Sequence, residues 1–259
     1  MDTDSFARLP EECISTILSL TSPMDATRFS IISHGFKSAS DSDNVWNRFL
    51  PPDYQQIIST SVSPVLYATK KHLYFNLCQS PILLHEGNTS FSLDRMNGKK
   101  CYMLGAREVL QSWRGCWSWT PHPQSRFSEV AKLKCPGSIH IRGKIKTQML
   151  SSNTAYAAYL VFHLAERLNS LESSRTLIRF VYPQMENSMI LTVEGTEKLE
   201  SEGTGKIAQV RGDGWMEIEM GNFYNREEDN REVEAWLIEI NNPGVKSGLI
   251  VEGIEFRPV

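Results

Sequence analysis

The sequence predicts an α+β protein of more than one domain, in which an N-terminal helical module precedes a mainly antiparallel β-sandwich. Apolar residues recur at helical spacing over residues 9–50. From Lys99 onward the period changes to short alternating segments, which Gly, Pro, Ser and Asn separate. Long helical segments do not separate these strand candidates, and this favours an antiparallel sandwich over the alternative, an α/β sheet.

Pro10 lies just inside the first predicted helix. The apolar stripe of this helix is formed by Cys13, Ile14, Ile17 and Leu18. Ser22 and Pro23 end this helix and start the next, with Ser22 as the N-cap and Pro23 at the first helical position.

Two further short helices complete the predicted module. One follows a break at residues 33–35, and Asp43 or Asn44 is the expected cap of the last, which presents Val45, Trp46 and Phe49. A chain of this length seldom buries enough apolar surface to be stable without disulfides, metal or a partner. The surplus of apolar residues therefore indicates a partner.

The paired prolines Pro51 and Pro52 close the module, because proline disfavours helix at the residue before it. We predict domain boundaries at 1–50, 51–96 and 97–259, with two helices between Tyr54 and Leu77 in the middle region. The strand candidates are Ser90–Leu93, Cys101–Leu104, Val130–Leu133, Ile139–Ile141, Tyr156–Leu164, Ile178–Val181, Met189–Val193, Trp215–Met220, Arg231–Ile240 and Gly248–Phe256.

Composition limits the classes of function. The chain has 259 residues and a formal net charge of −3. It therefore lacks the overall positive charge with which proteins bind the phosphates of nucleic acid. The N-terminal residues lack the apolar run of a signal peptide, and no segment has the length of a membrane span. The five cysteines are widely spread, which suits reduced thiols. We expect a protein of the cytoplasm or nucleus, without nucleic acid or membrane as a partner.

Residues 9–50 contain, in order, an LPEE opening, the Ser-Pro-x-Asp start of the second helix, the segment SIISHGFKSAS and a closing Asp-Asn-Val-Trp. This pattern resembles the F-box. The resemblance implies docking to the Skp-type adaptor of a cullin-RING ubiquitin ligase. The adaptor-binding residues that we predict are Leu9, Pro10, Ile14, Ile17, Leu18, Phe29, Ile32, Phe36 and Trp46.

A second resemblance covers residues 97–259. The segments GKKCYMLGAREVLQSWRGCWSWTP, GKIKTQMLSSNTAYAAYLVF, GDGWMEIEMGNFY, EVEAWLIEI and GLIVEGIEFRP are similar to the phloem protein 2 family of plant lectin-like domains. This resemblance implies a jelly-roll-like β-sandwich. In the tobacco agglutinin members it also implies binding of glycans that contain N-acetylglucosamine.

Tryptophans supply the candidate ligand site. Trp113, Trp117 and Trp119 lie close together in an expected loop or irregular strand, and indole rings stack on the C–H faces of sugars. The family resemblance aligns Trp113 and Trp117 with sugar-contacting tryptophans of the tobacco lectin, although the spacer Arg114–Cys116 is shorter here. For these two residues a glycan or degron contact and a core position both stay open. Trp119 is expected in the core.

Other candidate sites have simpler interpretations. Glu217 and Glu219 share one face of a strand, which is typical of a solvated face and only superficially resembles the paired acids of a glycosidase. The Cys and His spacing does not match a zinc site, and Gly203–Lys206 lacks the Ser or Thr of a phosphate loop. We therefore expect no metal, cofactor or catalytic residue.

These observations predict a substrate-recognition subunit of a Skp-cullin-F-box ubiquitin ligase. The helices would reach cullin and RING subunits through the adaptor, and the sandwich would bind a target protein or its glycan. The alternative is a nucleocytoplasmic carbohydrate-binding lectin whose F-box is non-functional. A hydrolase that uses Glu217 is a third interpretation.

Overall fold

A computed structural model describes residues 9–110, 114–134, 139–164, 175–181, 198–199, 208–227, 230–239 and 248–259. The chain divides into two compact units, one formed by Met1–Leu84 and Phe91–Lys100, the other by His85–Ser90 and Cys101–Val259. Helices dominate the first unit and antiparallel strands the second, which confirms the predicted α+β organisation. Among the helices in the described ranges, none is long and apolar enough to cross a membrane.

Short helices build the first unit. They are α1 (Glu11–Ser19), α2 (Pro23–Phe29), α3 (His34–Asp41), α4 (Asp43–Phe49), α5 (Tyr54–Ser59) and α6 (Lys70–Gln79), followed by the strand β1 (Ile82–Leu84). The next strand, β2 (Thr89–Leu93), has residues of both units. The two helices predicted between Tyr54 and Leu77 correspond to α5 and α6.

Serine side chains cap the early helices. Ser22 accepts a hydrogen bond at 3.1 Å from the backbone N–H three residues on, with Pro23 at the first helical position, as predicted. The cap of α4 was predicted wrongly, because Ser42, not Asp43 or Asn44, accepts the bond from the N–H of Asn44 at 3.4 Å. Asp43 instead lies in the first turn, where a carboxylate interacts favourably with the helix dipole.

Trp46 forms the centre of the helical unit. Its side chain is fully buried, and the ring centroids of Phe49, Tyr74 and Phe75 lie 5.6, 5.2 and 5.1 Å away. The indole Nε1 donates a hydrogen bond to the carbonyl oxygen of Ser40 at 2.6 Å. Aromatic side chains of α4 and α6 and a carbonyl group of α3 therefore meet at a single indole.

The second unit is built from strands. They are β3 (Lys100–Gly105), β4 (Trp117–Thr120), β5 (Val130–Leu133), β6 (Ile139–Lys146), β7 (Thr154–Leu164), β8 (Arg175–Val181), β9 (Lys198–Leu199), β10 (Gln209–Val210), β11 (Met216–Asn225), β12 (Glu232–Glu239) and β13 (Leu249–Pro258). A short helix, α7 (Ala106–Val109), follows β3, and single 3-10 turns lie at Arg114–Cys116 and Thr147–Met149.

These strands form two sheets. In the larger sheet the order is β3-β13-β7-β11-β10, β5 also pairs with β13, and β4 pairs with β5; in the smaller sheet the order is β6-β12-β8-β9. The pairs are antiparallel. Successive strands β6, β7 and β8, and again β11, β12 and β13, alternate between the sheets, as in a jelly roll.

The inner faces of the two sheets interdigitate. The ring of Phe223 on β11 lies 5.8 Å from that of Phe180 on β8, in an edge-to-face arrangement. Glycines permit close approach, because a Cβ added to Gly143 on β6 would lie 3.0 Å from the side chain of Ile254 on β13. The core of the second unit thus lies between the sheets, as expected for a β-sandwich.

Strand boundaries were predicted less well than strand positions. Val130–Leu133 is β5 as predicted, whereas β6 and β11 extend well past the predicted Ile139–Ile141 and Trp215–Met220. The predicted strand Met189–Val193 lies outside the described residues.

Strand β13 lies in the middle of the larger sheet. It pairs with β7 along one edge and with β5 and β3 along the other. The register on β7 shifts between Val251 and Gly253, so Glu252 is the extra residue of a β-bulge. A Cβ at Gly253 would overlap the carbonyl oxygen of Leu104 on β3, so this position requires glycine.

The variant Gly253→Ala should therefore unfold more easily than wild type, by about 1 to 3 kcal/mol, because the new methyl group forces β13 away from β3. Urea unfolding followed by tryptophan fluorescence measures the change. Gly212→Ala is the matched control, since a Cβ there meets nothing within 4 Å. Equal urea midpoints for the two variants would contradict this account of the bulge.

Candidate functional site

The predicted adaptor-binding residues fall into two groups. Buried in the helical unit are Ile14, Leu18, Phe36 and Trp46. At its surface, Ile17 is 43% and Ile32 58% exposed, Pro10 is exposed, and Leu9 and Phe29 are half-buried. The prediction did not separate these groups, because helical spacing marks an apolar face without showing which residues of it the module covers itself. The buried group supports the surface from beneath.

Sequence reasoning missed two exposed apolar residues, Leu20 and Ile31, which are 72% and 88% exposed. Leu20 is the C-cap residue of α1, and Ile31 lies in the turn after α2, where its N–H bonds to the carbonyl group of Arg28. The sequence carried a signal for both, because each lies just beyond a helix end and within two residues of a predicted apolar residue, Leu18 or Ile32. We call Ile17, Leu20, Ile31 and Ile32 the docking patch. Exposed apolar side chains on a module too short to bury its own apolar surface suit contact with a partner.

The tryptophan region is arranged differently from the expectation. Trp113 lies outside the described residues. Trp117, on β4 opposite Leu133, is only 5% exposed, and this burial favours the core position over the ligand contact that the sequence also allowed. A buried indole offers no face on which a sugar ring can stack.

Trp119 was expected in the core, and this was wrong: its side chain is half-buried. Alternation along β4 places Trp119 on the same face as Trp117, but the guanidinium of Arg107 on α7 covers its ring at 4.0 Å from the centroid. Arg107 also forms an ion pair with Glu129 at 2.5 Å. An indole stacked by a charged side chain therefore lies where the sequence predicted apolar packing.

Glu217 was predicted on a solvated face, and this was also wrong, because it is 9% exposed. Its two carboxylate oxygens accept hydrogen bonds from Arg257 at 2.6 and 2.8 Å, and Arg211 donates to it at 3.1 Å. Glu255 on β13 joins the same network through Arg211 at 2.6 Å. Glu217 and Glu255 lie on the outer face of the larger sheet, opposite the face that packs on the smaller sheet.

The pKa of Glu255 in this network is shifted in the direction that favours ion pairing. Burial by itself would raise the pKa of Glu255, but Arg211, Arg126 and Arg257 hold it below its ordinary value. The general acid of a glycosidase needs the opposite shift. Burial raises the pKa of Glu252, in the bulge, and Ser125 and the backbone N–H of Arg126 both donate to its Oε1.

A second charged cluster lies on the outer face of the smaller sheet. Glu234 on β12 is fully buried, and it accepts hydrogen bonds from Arg142, from Nε of Arg179 at 2.8 Å and from the indole Nε1 of Trp236 at 2.9 Å. Lys144 lies 3.2 Å from the same carboxylate. Burial would raise the pKa of Glu234, but these hydrogen bonds outweigh it and lower the pKa to about 2.

The indole of Trp236 lies beside both guanidinium groups of this cluster. The central carbon of Arg142 is 4.7 Å, and that of Arg179 5.3 Å, from the ring centroid. We call Arg142, Lys144, Arg179, Glu234 and Trp236 the Arg–Trp cluster. Sequence reasoning missed it, because the charges come from three strands whose pairing only the structure shows.

Metal ligation finds no support in the part of the chain that the structure describes, where no group of three or more His, Cys, Asp and Glu residues could hold an ion. Within the same ranges, Cys13 and Cys78 are free thiols. The predicted turn at Gly203–Lys206 lies outside them.

The ionised Glu234 should make stability depend on acid pH. Its pKa in the folded chain lies near 2, below the ordinary 4.5, so its contribution is present above the ordinary pKa and is lost as the pH falls toward 2. Melting temperatures followed by circular dichroism should therefore fall more steeply from pH 4.5 downward for wild type than for Glu234→Gln. Parallel curves for wild type and Glu234→Gln would refute the assignment.

Comparison with known proteins agrees with a helical part at the N-terminus and a β-rich part after it. Residues 6–48 match the F-box domain family, and residues 99–258 match the family Phloem protein 2. From Arabidopsis thaliana, the F-box protein At2g02240 is 40% identical and the putative F-box protein PP2-B12 is 41% identical. The alignments cover 99% of this chain and 81% of the first relative, and 98% of this chain and 98% of the second.

A third relative from the same plant, the F-box protein PP2-B10, is 36% identical over 99% of this chain and 95% of its own length. Both matched domains and these full-length alignments share one order, with the helical module first and the sandwich second. The chain therefore belongs to the family of F-box proteins that carry a phloem protein 2 domain.

Proposed function

We propose that this chain is the substrate-recognition subunit of a Skp-cullin-F-box ubiquitin ligase. The observation that carries the proposal is the docking patch, four apolar side chains that are 43 to 88% exposed within a module of the F-box family. Burial of such side chains against a partner is favourable by about 25 cal/mol per Å² of apolar surface. The occupant of the patch in this proposal is a Skp-type adaptor.

The interior of the module would fix the geometry of docking. Leu18 and Trp46 are fully buried beneath the surface, so they hold α1 and α4 in place without touching the adaptor. The energy of such an interface is concentrated in a few central apolar residues. In this chain we assign that role to Ile17 and Ile32, with Leu20 and Ile31 beside them.

The sandwich would select the target. A ligase of this type acts by proximity, because it holds a target lysine near a ubiquitin-loaded enzyme that other subunits supply. The protein would act in the cytoplasm or nucleus, as an adaptor without bond chemistry of its own. Burial of Trp117 supports a protein target over a glycan that stacks on this indole.

Adaptor binding should fail in the variant Ile17→Ser/Ile32→Ser, because two exposed apolar contacts are lost while the buried core is unchanged. A pull-down with purified Skp-type adaptor measures this, and circular dichroism should show wild-type helix content. Val62→Ser/Leu66→Ser is the control, since these residues of the first unit are 55% and 81% exposed but lie outside the docking patch. Wild-type binding by a folded Ile17→Ser/Ile32→Ser variant would contradict the proposal.

Target selection is tested in plant cells with wild type and the Ile17→Ser/Ile32→Ser variant. Affinity purification and mass spectrometry should recover shared target proteins from wild type and from Ile17→Ser/Ile32→Ser. These targets should be ubiquitinated in cells with wild type and not in cells with the variant, because only wild type recruits the adaptor. Recovery of N-acetylglucosamine-bearing glycoproteins alone, with ubiquitination equal for both chains, would instead favour the lectin function.

A further inference from the structure

The outer face of the smaller sheet carries an excess of positive charge. Among the side chains that the structure describes, the register of β6, β12 and β8 places four cations and two carboxylates on this face: Arg142, Lys144, Lys146, Arg179, Glu232 and Glu234. The local excess of two positive charges contrasts with the net charge of −3 of the whole chain. A surface of this sign attracts anionic partners.

Stabilisation of the buried Glu234 accounts for only part of this arrangement. One cation neutralises one carboxylate, yet Arg142, Lys144 and Arg179 all lie within salt-bridge distance of it. Glu234 is fully buried, whereas the side chains of the three cations are 40%, 35% and 29% exposed. The carboxylate thus lies beneath and holds cations that still face solvent.

Trp236 adds rigidity to the two guanidinium groups. Because both lie over or beside its indole and both donate to Glu234, their planes have little freedom to rotate. Guanidinium groups held in this way lose little conformational entropy when they bind an anion, and their planar N–H groups match the oxygens of phosphate. The half-buried indole also offers apolar surface to the neighbouring residues of a peptide.

We propose that the Arg–Trp cluster, with Lys146 at its rim, binds a phosphorylated serine or threonine in a segment of a target protein. A phosphorylated side chain carries about −1.5 to −2 charges at neutral pH, which matches the local excess of two positive charges. The proposal rests on the proposed function of the sandwich as the target-selecting domain. It adds the site and the chemical class of the target.

The test measures binding of the full chain to a fluorescein-labelled pool of short peptides with a central phosphoserine and randomised flanks. Fluorescence anisotropy should show binding of this pool and not of the same pool with serine. Lys144→Gln/Lys146→Gln should weaken binding about fivefold, and higher salt should weaken it further. This variant leaves the contacts among Arg142, Arg179 and Glu234 in place.

The matched control is Lys132→Gln/Lys134→Gln, which removes two exposed lysines of the same spacing at β5 of the larger sheet. It should bind the phosphoserine pool like wild type. Arg179→Lys tests the geometry, because it retains the charge but loses the planar donor group, and it should bind more weakly than wild type. Melting temperatures establish that each variant is folded.

If both lysine variants lost binding of the phosphoserine pool equally, the proposal would be overturned, because binding would then follow net charge alone. Equal binding of a pool with central aspartate would overturn the phosphate assignment, and displacement of the peptide by single-stranded RNA at lower concentration would replace it with nucleic acid. Adaptor pull-down distinguishes this inference from the proposed function. If the chain binds the phosphoserine pool but not the adaptor, the peptide site stands and the proposed ligase function is wrong.

Discussion

The larger sheet depends on the pairing of β13 with β7. Strand β13 also pairs with β3 and β5 on its other edge, so without it the sheet would separate into two parts. The bulge at Glu252 and the close contact at Gly253 adjust this strand to both neighbours. Because β13 comes last in the sandwich, it pairs with strands that are distant in sequence. Contacts of this kind form slowly during folding.

Strand pairing within each sheet decides what its outer face presents. On the larger sheet, Glu217 of β11 and Glu255 of β13 share arginines, so charges balance and stay largely covered. On the smaller sheet, three cations surround the single buried carboxylate of Glu234 and remain partly exposed. The phosphopeptide site proposed on the smaller sheet depends on this partly exposed positive charge.

Much of the architecture could be predicted from the sequence, because helical and alternating periods differ clearly on either side of Lys99. The caps at Ser22 and Pro23 and the buried faces of α5 and α6 follow from local rules alone. Glu217 and Trp119 could not be placed, since their partners Arg257 and Arg107 come from other strands and helices. Whether an apolar residue of the F-box is buried or exposed likewise depends on tertiary packing.

The central claim is that the helical module binds a Skp-type adaptor through its exposed apolar residues while the sandwich stays available for targets. Hydrogen exchange of the full chain, measured by mass spectrometry with and without the adaptor, tests it most directly. The account predicts that the adaptor slows exchange in the peptides around Ile17–Leu20 and Ile31–Ile32 and leaves β6, β12 and β8 unchanged. Protection of these strands, or unchanged exchange at the docking patch in the presence of saturating adaptor, would contradict it.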